Sequence, residues 1–182
     1  MSKFRNVFRI ESARLKEWDY SNPWWYYITV NTKGHKFYFG EIIDGEMYQN
    51  QLGEILKKCW IDIPKHFQNA ELDYYVIMPN HLHGIIILNE SGKDVACNVS
   101  TDNKYSEISP KPGSLSTIIR SLKSEVTREI HRIGYHDFNW QPRFYDRIIR
   151  NEKELYKIRN YIEKNPLKWF LEKENSENIC DI

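Results

Sequence analysis

Apolar residues along the chain follow two spacings, one typical of strands and one typical of helices. Alternating or continuous runs rich in aromatic and β-branched residues predict strands. These runs lie at 24–32, 36–43, 46–48, 72–78, 81–88 and within 140–150. Asp44-Gly45 separates the second run from the third and predicts a tight hairpin turn. Pro79-Asn80 breaks the fourth from the fifth, which predicts a second hairpin and places the start of the fifth strand at the edge of the sheet.

Apolar positions three and four residues apart predict three helices. The first covers residues 50–66 and ends near Pro64, and the second runs from a Ser114 or Ser116 cap to about Ile133. The third begins after Asn151 and ends at Lys164, because Pro166 interrupts a helical hydrogen bond. One further apolar helical turn is expected after that proline.

The remaining segments are connectors or ends. Residues 1–23 predict an irregular or short helical lead-in, and residues 174–182 a frayed tail. Residues 89–112 are rich in Ser, Asn, Gly and Pro, which predicts a long mobile loop. A chain of 182 residues without an internal repeat is expected to form a single domain over 1–182.

Charge and cysteine content narrow the function classes. A net charge of +1 is not that of a nucleic-acid coat, although a local basic face is compatible with it. Three widely spaced cysteines indicate neither a disulfide framework nor a zinc ribbon, and favour a reducing cytoplasm. The sequence shows no signal peptide or membrane span, so no membrane partner is expected.

His81 and His83 are the first candidate for chemistry. Alternate residues of a strand project from the same face about 6–7 Å apart, so the two imidazoles can share one metal ion. The alternative is that both histidines only pack or hydrogen-bond within the sheet.

Tyr161 and Asn165 are the second candidate. They lie four residues apart on the face of the third helix that docks on the sheet. An Asn carbonyl oxygen can complete a site with two imidazoles, and a tyrosine one turn away can attack a polarised phosphate. Alternatively, Tyr161 is a tyrosine at the core edge and Asn165 a helix cap.

Basic residues concentrate in the same half of the chain. Residues 111–150 hold eight Lys or Arg and four acidic residues, a net charge of +4. Interleaved aromatic residues make this pattern typical of single-stranded and hairpin nucleic-acid binding, although a solvated helix face is the plain alternative. The predicted DNA-binding residues are Arg120, Lys123, Trp140, Arg143, Arg147 and Arg150.

Four stretches occur in one order over residues 70–168, and together they are more specific than any one of them. They are Tyr75–His83, Ile118–Ser124, Trp140–Arg150 and Tyr161–Pro166. The ordered set resembles the single-tyrosine HUH transposases and, among them, the REP-associated tyrosine transposases of the insertion-sequence-200-like family.

The resemblance implies a fold, a cofactor and a reaction. The fold would be α+β, a ferredoxin-like α/β sandwich with a central antiparallel sheet and helices mainly on one face. By the same resemblance His81, His83 and Asn165 would hold Mg²⁺ or Mn²⁺. Tyr161 would cut single-stranded DNA near a hairpin, form a 5′-phosphotyrosine link and free a 3′-hydroxyl. The protein would act on REP-like hairpin elements as a monomer or homodimer.

Several alternatives stay open. Tyr145 lies between Arg143 and Arg147 and is an alternative nucleophile. A non-cleaving hairpin-binding protein derived from a transposase would keep the basic and aromatic residues. A two-histidine RNA phosphoesterase ranks last, because no second histidine motif is present.

Overall fold

A computed structural model describes residues 18–90 and 111–177, together with two short strands near the start. Residues 91–110 of the predicted loop and 178–182 of the predicted tail lie outside the described residues. In chain order the elements are β1 (Lys3–Phe4), β2 (Val7–Phe8), β3 (Trp24–Asn31), β4 (Gly40–Ile43), β5 (Glu46–Gln49), α1 (Gln51–Ile61), α2 (Ile63–His66), β6 (Ala70–Met78), β7 (His81–Leu88), α3 (Leu115–Arg132), β8 (Tyr145–Ile148) and α4 (Glu152–Glu177).

Four antiparallel strands form the central sheet, in the order β6-β7-β3-β8. β6 and β7 form the predicted hairpin around Pro79-Asn80, with Met78 opposite His81. The Ile-rich run of β7 predicts a central strand, which is confirmed because β7 pairs with β3 on one side and β6 on the other. The histidines lie beside the turn, as predicted, but at the end of this interior strand and not on an edge strand.

The two faces of the sheet are covered by different helices. Alternation along β3 and β7 directs Ile28 and Leu82 into the larger core, which α1 and α3 complete. The other face carries Tyr27 and Ile85, and α4 packs there through Ile162. The predicted α+β fold with a central antiparallel sheet is confirmed.

Gly84 in β7 allows the Trp60 indole to pack directly on the strand backbone. A Cβ at this position would lie 2.5 Å from Cζ2 and 2.6 Å from Cη2 of Trp60, which is fully buried. The absence of a side chain at Gly84 therefore fixes the distance between α1 and the strand that carries the histidines.

We expect Gly84→Ala to lower the free energy of unfolding by about 2 kcal/mol through overpacking. Trp60→Phe lacks the two clashing atoms, so the double variant should lose less stability than the two single losses together. Urea denaturation of the four proteins measures this coupling. Strictly additive losses would contradict the packing account.

α4 does not end at Lys164 as predicted but continues through Pro166 to Glu177. Proline removes one backbone donor and usually ends or kinks a helix. Contacts beyond it offset that cost, because Leu167 packs against Gly45 of the β4–β5 hairpin and Trp169 packs on His81. The apolar turn expected after Pro166 is thus part of α4 itself, and so are residues 174–177, which were predicted to be part of a frayed tail.

Of the two hairpins in the first part of the chain, the sequence predicts β4–β5 but not β1–β2. Asp44 and Gly45 both have positive φ, as a type I′ turn requires, so the turn between β4 and β5 is confirmed. In the lead-in, Lys3–Phe4 pairs with Val7–Phe8, so this part is extended rather than helical. Within the described ranges no helix is long and apolar enough to span a membrane.

Candidate active site

His81 and His83 face each other at the end of β7. Their Nε2 atoms are 2.9 Å apart, and the two residues are 8% and 5% exposed. Two metal–nitrogen bonds of about 2.1 Å at a right angle would separate the nitrogens by about 3 Å. The pair therefore already has the spacing of two adjacent ligands of one ion.

The outer nitrogen of His81 is held by Asn80. Asn80 Nδ2 donates to the carbonyl of His35 at 3.1 Å, which directs its Oδ1 to His81 Nδ1 at 2.6 Å. Because Oδ1 can only accept, the proton lies on Nδ1 and the Nε2 lone pair points into the site. Contacts of this kind orient metal-ligating histidines.

The outer nitrogen of His83 is held from β3. His83 Nδ1 lies 2.8 Å from the Tyr27 hydroxyl and 2.9 Å from Thr29 Oγ1. The Tyr27 ring also stacks on the His83 ring with centroids 5.7 Å apart. Asn80, Tyr27 and Thr29 were absent from the sequence-based site, and only the strand register, in which Thr29 lies opposite His83, identifies the last of them.

Burial keeps both imidazoles neutral. It lowers the pKa of His81 to about 4, with a smaller contribution from His35, and lowers the pKa of His83 to about 3, with a smaller contribution from His81. A neutral imidazole is the form that binds metal. Both histidines are therefore in this form at neutral pH.

The low histidine pKa values predict acid sensitivity. Below the unfolded-state pKa near 6.5 the unfolded chain takes up protons that the folded chain does not, so stability falls as pH drops from 6.5 toward 4. Each histidine contributes up to about 1.4 kcal/mol per pH unit in that range. We expect urea denaturation with chelator present to give a shallower pH slope for His83→Asn, and an unchanged slope would contradict this origin.

α4 brings Tyr161 and Trp169 to the histidines. The ring centroids of Tyr161 and His83 are 5.3 Å apart. Trp169 follows two turns later, and its ring centroid lies 5.7 Å from that of His81. Asn165 is midway between them on the same face and is only 6% exposed. Tyr161 is 42% exposed, so its ring is accessible to a substrate.

Tyr145 occupies the same face of the sheet at a greater distance. It lies opposite Thr29, which lies opposite His83, so two strand spacings of about 4.8 Å separate Tyr145 from His83. Its ring reaches Tyr27, with centroids 6.2 Å apart. Tyr161 also contacts Tyr27, at 6.4 Å, so Tyr27 lies against both candidate nucleophiles.

The residues predicted to contact DNA are divided between the two faces. Arg147 lies opposite Tyr27 on β8 and pairs with Glu154 of α4, whereas Arg120 and Lys123 belong to α3 on the other face. Arg143 and Arg150 are exposed in the segments flanking β8. The predicted basic surface therefore does not form one patch around the histidines.

Lys123 and Trp140 hold the segment before β8 onto α3. The Lys123 ammonium donates to the carbonyls of Gln141, at 2.8 Å, and Arg143, and burial lowers its pKa to about 8. Trp140 Nε1 donates to the carbonyl of Lys123 at 3.1 Å. In this conformation both side chains support the fold of that segment, and their predicted DNA contacts stay predictions.

Two imidazoles form the donor pair that a metal would meet, and the predicted third ligand, Asn165, is buried on the α4 face that carries Tyr161 and Trp169. No group of three His, Cys, Asp or Glu side chains converges within the described part of the chain. The Nε2 spacing and the proton that Asn80 fixes on the outer nitrogen of His81 suit a divalent ion with open positions for water and phosphate oxygens. The residues present therefore fit a divalent metal ion, and its identity as Mg²⁺ or Mn²⁺ stays a prediction.

Comparison with known proteins identifies relatives over most of the chain. An uncharacterized protein of Haemophilus influenzae is 38% identical over 160 residues, which cover 87% of this chain and 88% of that protein. The REP-associated tyrosine transposase of Escherichia coli is 30% identical over 98 residues, 54% of this chain and 45% of that protein. No family model matches the sequence.

A solved structure gives the same relationship at the level of fold. It is a REP-associated tyrosine transposase bound to a REP hairpin, 22% identical, with a TM-score of 0.50 over 92% of this chain and 74% of that chain. Over part of its length the chain is therefore similar in sequence to a REP-associated tyrosine transposase, and it shares the fold of a solved one.

Proposed function

We propose that the protein is a metal-dependent single-stranded DNA endonuclease and strand transferase that acts through a 5′-phosphotyrosine intermediate. The contact between Tyr161 and the histidine pair carries this proposal. The ring centroids of Tyr161 and His83 are 5.3 Å apart, and the Nε2 atoms of His81 and His83 are 2.9 Å apart. A nucleophile, two neutral imidazoles and a buried amide in one chain are the parts that such a reaction needs.

Each residue has one role in the proposed reaction. His81, His83 and Asn165 would hold Mg²⁺ or Mn²⁺, and the bound ion would polarise the scissile phosphate. Tyr161 Oη attacks phosphorus and loses its proton, while the bond from phosphorus to the 3′ oxygen breaks and that oxygen gains a proton. The new phosphotyrosine conserves the energy of the phosphodiester, so rejoining needs no other energy source.

Tyr161 is preferred over Tyr145 because of its distance from the histidines. Tyr161 packs directly on His83, and the Lys168 ammonium lies 5.9 Å from its ring centroid. Tyr145 lies two strands away from His83, and its ring contacts Tyr27. A phosphate held by the histidine pair is therefore closer to Tyr161.

Hairpin-bearing single-stranded DNA is the proposed partner. A structurally similar transposase was solved with a REP hairpin, which supports the same class of ligand here. The chain matches 45% of the length of the Escherichia coli relative, so the DNA sequence that it selects can differ.

A denaturing-gel assay with labelled hairpin oligonucleotides and Mn²⁺ tests the proposal. The expected result is a protein–DNA adduct that survives denaturation and is absent when chelator replaces the metal. The oligonucleotides should tile the hairpins of the host genome, because the target is unknown. Hairpin binding without any adduct would instead support a non-cleaving DNA-hairpin-binding protein.

A further inference from the structure

Three aromatic rings lead outward from the candidate site. His81, Trp169 and Phe37 are in sequential contact, and we call them the aromatic ladder. The Trp169 ring centroid lies 5.7 Å from that of His81, at an interplanar angle of 40°, and Phe37 lies 5.9 Å beyond Trp169. The ladder therefore joins the position of the scissile phosphate to the protein surface.

Exposure increases along the ladder. His81 is 8% exposed, Trp169 is half-buried and Phe37 is 67% exposed. An isolated exposed phenylalanine is ordinary on protein surfaces, but Phe37 continues a row of rings that begins at a candidate metal ligand. Its outer face is free to take a flat apolar group from solvent.

A lysine comes immediately before each of the two outer ring residues in the sequence. Lys36 precedes Phe37 and Lys168 precedes Trp169 in the sequence. Their carboxylate partners are Asp137 at 3.9 Å and Glu172 at 3.5 Å, and all four side chains are at least 61% exposed. Such pairs are weak, so a phosphodiester backbone can compete for both ammonium groups.

A cavity of about 430 Å³ continues the path beyond Phe37. Its lining includes the exposed Tyr135 and the polar side chains of Gln51 and Asp137. An aromatic wall with hydrogen-bonding groups at its side suits a planar heterocycle better than an aliphatic chain. The same ligand class thus fits the ladder and the cavity.

We propose that the aromatic ladder binds the unpaired bases that flank the scissile phosphate. Trp169 stacks on the base next to that phosphate, and Phe37 stacks on the following base. This inference rests on the proposed function, since it takes the histidine pair as the position of the phosphate. Stacking tolerates every base, so the ladder positions the strand without selecting its sequence.

An abasic scan tests the ladder by equilibrium binding, independently of cleavage. The protein is Tyr161→Phe, and the probe is a labelled DNA hairpin with single-stranded thymidine flanks. One abasic residue is placed at each flank position in turn. We expect two adjacent positions at which the abasic residue weakens binding by about tenfold.

Protein variants then assign each position to a ring. In the same background, Trp169→Leu and Phe37→Ala should each weaken binding of the all-thymidine probe by about tenfold. Each should also remove the abasic penalty at one of the two positions. Trp169→Phe keeps an aromatic ring, so it should keep the abasic penalty that Trp169→Leu removes. Tyr156→Ala changes a 69% exposed tyrosine near the start of α4 and should have no effect on binding.

The outcomes separate the ladder from the cleavage proposal. Abasic penalties that persist unchanged in Trp169→Leu and Phe37→Ala would overturn the ladder, even if the wild-type protein forms the covalent adduct. Loss of one penalty in each variant would support the ladder, even if no adduct forms and the cleavage proposal fails.

Discussion

Replacing Tyr161 with Phe should abolish the covalent protein–DNA adduct and slow strand cleavage by roughly 10³-fold or more. The change removes one hydroxyl and keeps the ring that packs on His83 and Tyr27. Because the residue is 42% exposed, folding stability should change little. The adduct is quantified on denaturing gels, and DNA binding is measured in parallel.

Tyr145→Phe is the matched control for this prediction. Tyr145 is 47% exposed and also packs on Tyr27, so it shares the surroundings of Tyr161 apart from contact with a histidine. We expect Tyr145→Phe to form the adduct at close to the wild-type level. An adduct that persists in Tyr161→Phe and disappears in Tyr145→Phe would reverse the assignment of the nucleophile.

Replacing His83 with Ala should remove metal binding together with cleavage. The change removes one of the two proposed imidazole ligands, and the Nε2 pair 2.9 Å apart no longer exists. We expect Mn²⁺ affinity to fall by about 100-fold or more, and adduct formation to fall at least as far. Isothermal titration with Mn²⁺ measures the affinity without DNA.

The histidine prediction needs a control for histidine content and one for folding. His66→Asn changes an exposed histidine at the end of α2 and should leave Mn²⁺ binding intact. Circular dichroism establishes that the His83→Ala protein is folded before titration. Equal Mn²⁺ affinity in wild type and folded His83→Ala would show that the metal binds elsewhere.

Much of the site could be predicted because it depends on short spacings. Two histidines one residue apart on a strand must share a face, and residues 161 and 165 of a helix must do so as well. Neither spacing states that the helix lies on the histidine side of the sheet. That came from the resemblance, and the contact of Tyr161 with His83 agrees with it.

The residues that orient the histidines could not be predicted, because their positions depend on strand register. Thr29 lies opposite His83 only for one pairing of β3 with β7, and a shift by one residue would turn Tyr27 and Thr29 to the other face. Asn80 was assigned only to the hairpin turn. Its side chain also fixes the proton position of the neighbouring His81.

The predicted end of the third helix was wrong because it, too, depends on tertiary contacts. Proline at position 166 is unfavourable within a helix by local rules alone, but those rules omit tertiary contacts. The contacts of Leu167 with Gly45 and of Trp169 with His81 exist only in the folded chain, and they keep α4 helical to Glu177.

The basic residues of α3 were predicted to lie near the candidate site, but their helix covers the opposite face of the sheet.

In the proposed reaction Tyr161 attacks a phosphate held at His81 and His83. Mass spectrometry of the peptides from a nuclease-treated adduct tests it most directly. We expect a phosphonucleotide on Tyr161 in the peptide that contains this residue. A phosphonucleotide found only on Tyr145, or on any other residue, would contradict it.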